Sequence, residues 1–126
     1  MGVMRHWMRV AACGLAVLFL AAAQDVGVVR VTVALHGVDQ VAVPMRRYLL
    51  LISDNPSSAP PRRVFTSAEG TLEVRLRPGS YTIESDQPAA FEGKHFSWTQ
   101  TVDVVAGREI TLALTPANAD VVTGTA

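Results

Sequence analysis

Five residues within positions 91–98 carry the side chains best able to hold a ligand: Phe91, Lys94, His95, Phe96 and Trp98. Aromatic faces stack on sugar rings or fill pockets at protein interfaces, and an ammonium and an imidazole at the rim supply hydrogen bonds. The same window has a second reading. Phe96 and Trp98 share parity with Val102 and Val104. On a strand these four side chains point one way, into a core, and Phe91 becomes the ring left outside.

Other chemistry finds little to build on. No serine sits in a G-x-S-x-G turn, and beyond position 23 the histidines are His36 and His95. His36 with Asp39, and Glu92 with His95, are the close pairs of metal-ligand type, and neither has the dense oxygen spacing of a calcium loop. The arginines Arg46, Arg47, Arg62, Arg63, Arg75 and Arg77 would sit at strand ends, where solvation accounts for them. No enzyme activity, metal or cofactor is expected.

Composition narrows the classes further. The chain has 126 residues, 49% hydrophobic and 17% charged, with a formal net charge of zero. That is too apolar for a disordered chain, and it lacks the basic face that neutralises phosphates. Nucleic acid is therefore not expected as a partner. One cysteine, Cys13, excludes a disulfide framework within the chain.

Residues 1–23 read as a signal peptide. Arg5 and Arg9 precede a run from Val10 to Ala23 without charge, and Ala21-Ala22-Ala23 fits small-residue cleavage before Gln24. Fourteen residues make a helix of roughly 21 Å, short of the ~30 Å hydrocarbon core, so no stable membrane insertion is expected after cleavage. Cys13 precedes most of the apolar run instead of following it, which argues against lipidation. Residues 24–126 then hold 9 basic and 11 acidic side chains, net −2.

The elements that must position the aromatic window are strands. Val29, Val31, Val33 and Leu35 alternate with Arg30, Thr32 and Ala34; Tyr48–Ile52 is a continuous apolar run suited to a central strand. Val64–Thr66, Thr71–Leu76, Tyr81–Ser85, Phe96–Val104 and Glu109–Leu114 complete seven strands, with loops at 55–63 and 86–94. Pro60-Pro61 and the arginine pairs protect an edge, and the valine-rich residues 26–33 look like a less protected one, open to strand addition. Residues 116–126 have no period and are expected to be a flexible tail. Spacings near ten residues predict an all-β, seven-stranded antiparallel sandwich over residues 24–115.

The sequence Glu69-Gly70, TLEVRL, then Arg77-Pro78-Gly79-Ser80-Tyr81-Thr82-Ile83, with Val102, Val104, Gly107, Leu112 and Leu114 closing the chain, resembles carboxypeptidase regulatory-like domains. These are transthyretin-like (immunoglobulin-like) sandwiches, similar also to Cna B-type repeats. The resemblance covers residues 27–115 and implies a tight hairpin at Pro78-Gly79, with Tyr81 packed behind it and its hydroxyl bonded. The stretch from Ser80 to Leu112 also looks like a sandwich domain that precedes trypsin-like protease domains in secreted bacterial proteins. The resemblance implies no catalytic role. It implies a secreted or periplasmic accessory domain that contacts a protein in the envelope or outside the cell. The alternatives are a carbohydrate-binding module using the aromatic cluster, and a small inhibitor or chaperone of an envelope enzyme.

Overall fold

The computed structural model describes residues 25–123. The leader expected at 1–23, with Cys13, lies outside them. Strand β1 (Gly27–His36) runs through the centre of the first sheet, because its β-branched alternation fits a pleated, half-buried surface. On one side it pairs with β10 (Glu109–Leu114), on the other with β5 (Thr71–Leu76). Short β2 (Ala42–Pro44) extends the β5 side. The Val33 N–H donates to the Gly70 carbonyl and the Val33 carbonyl accepts from the Met45 N–H, both at 2.8 Å, and both groups of one residue point the same way.

The second sheet runs β4 (Arg62–Phe65), β3 (Leu49–Asp54), β6 (Gly79–Ser85), β9 (Thr99–Val104), antiparallel throughout. A third, smaller sheet holds β7 (Ala89–Phe91), β8 (Lys94–Ser97) and β11 (Asp120–Thr123), with β8 in the middle. Val29, Val31, Val33 and Leu35 from β1 meet Leu50, Ile52, Ile83, Val102 and Val104 in one core. Each such burial stabilises by about 1.5–3 kcal/mol. Thr66 is the buried polar residue; its hydroxyl donates to the Met45 carbonyl and accepts from the Tyr48 N–H.

The sandwich and the alternation in β1, β5 and β6 agree with the sequence. The described residues hold eleven strands where seven were expected, because β2, β7 and β11 are added and the expected strand 96–104 divides at Trp98 into β8 and β9. Four further details differ. First, β1 and β10 pair in parallel, so the sandwich is not wholly antiparallel. Second, residues 26–33 are not an edge, because β1 has a partner on each side. Third, Pro78-Gly79 joins two sheets instead of closing a hairpin, since β5 and β6 are not paired; the Tyr81 hydroxyl still finds its partner, the Arg77 carbonyl at 2.8 Å. Fourth, the expected tail gives a 3-10 turn at Pro116–Asn118 and then β11. Thr115 and Asn118 cap that turn reciprocally, and the Asn118 amide also donates to the Ala113 carbonyl at 2.8 Å. Four residues exposed on both faces leave no hydrophobic period to read.

Candidate functional site

The stretch 86–94, expected as loop, contains the turn of a hairpin. Glu92 and Gly93 both lie in the left-handed region, with φ of 49° and 74°. Two such residues in succession make the turn whose twist matches paired strands, and it sets Phe91 opposite Lys94. The unusual feature is Glu92, which replaces the usual Asn or Asp and hides the hairpin from sequence reading.

Register then sorts the five candidate residues. Lys94 and Phe96 lie on one face of the small sheet, in rows with Phe91 and Ala89 of β7 and Thr123 and Val121 of β11. His95 lies on the opposite face with Val122 and Ala90, so it does not join Lys94. Phe96 is 5% exposed and Trp98 1%, so neither ring offers a stacking face. This corrects their assignment as ligand contacts: their parity with Val102 and Val104 carries them into the core. Phe91 is half-buried, and Lys94 and His95 are exposed.

Trp98 stands at the joint where the chain leaves β8 for β9. Its backbone exchanges hydrogen bonds with Ser85, both at 2.9 Å, and its indole N–H donates to the Thr115 carbonyl at 2.9 Å. The Tyr48 ring meets it edge-to-face, centroids 5.8 Å apart. Burial raises the Tyr48 phenol above its ordinary value of 10.0, with Asp86 adding to the rise and Ser85 opposing it.

An open groove of about 540 Å³ runs between the hairpin and the turn that follows β1. Phe91, Glu92, Lys94 and Phe96 form one wall. His36, Gly37, Val38 and Gln40 form the other, with Pro116 and Val121 at the end. At Gly37 the Glu92 carboxylate occupies the place where a Cβ would stand, so the flexible tip of Glu92 lies against this turn. The His36 Nδ1 atom is buried without a hydrogen-bond partner. Gln40, held at φ 60°, directs its amide towards the Gly37 carbonyl at 3.4 Å. The ion pairs among the described residues are those of Arg30, with Glu73 and Glu109 on the outer face of the first sheet, so Lys94 and Glu92 face the groove without charge partners. The groove thus carries one cation, one anion, an imidazole and an amide over apolar walls.

Of the residues that make the groove, Phe91, Lys94 and Phe96 were legible as candidates. His36 and Glu92 are visible in sequence only as metal-type residues, each paired with a residue that points elsewhere or lies outside the groove. Among the described residues no three His, Cys, Asp or Glu side chains gather. Arg46, Arg62 and Arg63 are exposed, and Arg47 lies 5.6 Å from the Phe65 ring centroid, a cation–π contact. No helix among the described residues is long and apolar enough to cross a membrane.

No protein-family model and no curated protein matches the chain. Among solved structures it is similar to the minor pilin of the gram-positive pathogen Streptococcus agalactiae, with a TM-score of 0.63 and 10% identity over 82% of this chain. It spans 48% of that pilin, about half its length. It is similar also to a candidate carbohydrate-binding protein from Pseudomonas aeruginosa, with a TM-score of 0.52 and 17% identity, over 76% of this chain and 93% of that one. At these identities the likeness is one of fold, and the fold is an all-β sandwich.

Proposed function

We propose that this chain is an exported, non-catalytic accessory domain that binds another protein in the cell envelope or outside the cell. The sequence resemblance to carboxypeptidase regulatory-like domains and the fold likeness to a minor pilin both support that reading. The observation that carries it is the rim of the groove. Val38 is 97% exposed and Val121 46%, two apolar side chains that line one open cleft. Apolar groups exposed around a concavity mark a contact surface.

A photo-crosslinking residue placed at Val38 or Val121 tests this in living cells. The expected result is one protein adduct common to both positions and missing at Val105. Val105 lies near Gly27, at the far end of β1, about 30 Å from the groove. Absence of a shared adduct overturns the reading.

A second reading has its own support. Glu92, Lys94, His36 and Gln40 offer donors and acceptors beside Phe91, a pattern that suits the hydroxyls and the apolar face of a sugar. It no longer includes Phe96 or Trp98 as stacking rings. Binding on a glycan array that is lost with Glu92→Gln and Lys94→Met, without any protein adduct, would establish it.

A further inference from the structure

The geometry points to the outer edge of β11 as a site of strand addition, taking a short extended segment of the partner protein; the inference rests on the protein-binding reading above. β11 lies at the end of the small sheet and pairs only with β8 among the described residues. Its outer row of N–H and C=O groups is therefore free to template another strand.

The other edges are blunted. β4 follows Pro60-Pro61 and carries exposed Arg62 and Arg63. β2 has three residues and ends in Pro44, and β7 also has three, just after Pro88. β9 carries an exposed acid, Asp103, as β11 does, but has no exposed apolar side chain beside it, because Val102 and Val104 are buried. On β10 the Glu109 carboxylate is held by Arg30, and the Ala113 carbonyl is taken by Asn118. β11 has no proline, lysine or arginine, and presents two adjacent valines, Val121 at 46% and Val122 at 66% exposure.

The chemistry of the segment follows from the register. Side chains of adjacent strands meet in rows, and Val121 and Val122 occupy opposite faces. The incoming strand therefore gains from apolar residues at two successive positions. The side chain beside Val121 falls on the groove face, and the one beside Val122 falls on the His95 face. Asp120 is exposed at the start of β11 and favours a lysine or arginine opposite it. The fitting partner is an extended segment with an adjacent apolar pair next to a basic residue. Main-chain bonds supply affinity and the two faces supply selection.

The purified full chain, screened against a displayed library of random heptapeptides, tests this. Enrichment of peptides with an apolar pair and a neighbouring Lys or Arg is expected. Val122→Lys should weaken the best peptide by about tenfold while the circular dichroism of the domain stays unchanged. N-methylation of alternate peptide amides should abolish binding at one parity and spare it at the other, because only every second amide of an added strand faces β11.

No enrichment overturns the proposal. So does binding that Val122→Lys leaves intact, or that survives N-methylation at both parities, since the groove would then take side chains alone. A dimer of the chain that Val122→Lys dissociates also overturns it, by making a second copy the occupant. The crosslinks from Val38 and Val121 report separately: a shared adduct without strand addition keeps the protein-binding reading and removes only the edge.

Discussion

At the scale of residues, Trp98 is tied by its backbone to Ser85, by its indole to Thr115 and by its ring to Tyr48. In a chain beginning at Gln24, where it is the sole tryptophan, its emission should be blue-shifted and resist acrylamide quenching. Exposed-type emission would contradict its burial. Trp98→Ala should destabilise by about 3–5 kcal/mol in chemical denaturation, the range for an emptied aromatic site. Asp54 offers a titration test. The Ser58 hydroxyl donates to its carboxylate and holds its pKa below the ordinary value of 3.8; desolvation opposes this, and the Ser58 backbone N–H adds to it. A depressed folded pKa gives a contribution that is present above the unfolded carboxylate pKa and lost as pH falls through the folded one. Ser58→Ala should move the Asp54 carboxyl resonance to titrate at higher pH. An unchanged midpoint would show that Ser58 is not the cause.

At the scale of elements, Gly70 ends the turn into β5 with φ 74°, and a Cβ there would stand 2.6 Å from the Val33 carbonyl oxygen. Gly70→Ala combines left-handed strain with a backbone clash and should cost more than the roughly 1 kcal/mol that strain alone costs. Gly93 shares the φ but has open space around it, so Gly93→Ala should cost only about that 1 kcal/mol. Equal losses in thermal melts of the two variants would refute the clash. These contrasts also show what sequence could and could not reveal. β5 was legible to the residue because Leu72, Val74 and Leu76 alternate cleanly with Thr71, Glu73 and Arg75. The hairpin at 92–93 was not, because glutamate rarely takes the left-handed turn position. The segment 116–123 was not, because its order comes from a side-chain cap and an edge pairing that leave no periodic mark. Removing residues 115–126 should therefore do more than trim an end. It strips the Trp98 indole of its acceptor and β8 of a partner, and a loss of about 2–3 kcal/mol is expected from an unsatisfied buried donor and the lost strand.

At the scale of the whole molecule, the sandwich was readable because valine-rich alternation and turn signals repeat at short spacing, and both are local. What stayed hidden was which strands become neighbours. The candidate cluster illustrates this: five residues adjacent in sequence divide among groove, outer face and core once β8 acquires partners from residues 89–91 and 120–123. His36 joins Phe91 and Lys94 only because β1 ends beside the hairpin.

The parallel pairing of β1 with β10 has a mechanical consequence. Tension entering before Gly27 and leaving after Leu114 pulls the two strands in opposite directions along their shared axis. Six residue pairs, from Val28 with Glu109 to Val33 with Leu114, then bear the load together instead of opening one after another. Held in an optical trap by handles before Gly27 and at Ala117, ahead of β11, the domain should hold until that patch fails in a single rip. An unzipping at low force would mean the load takes another path. Load along that axis is thus met by shear across a whole patch, where an antiparallel hairpin would peel pair by pair.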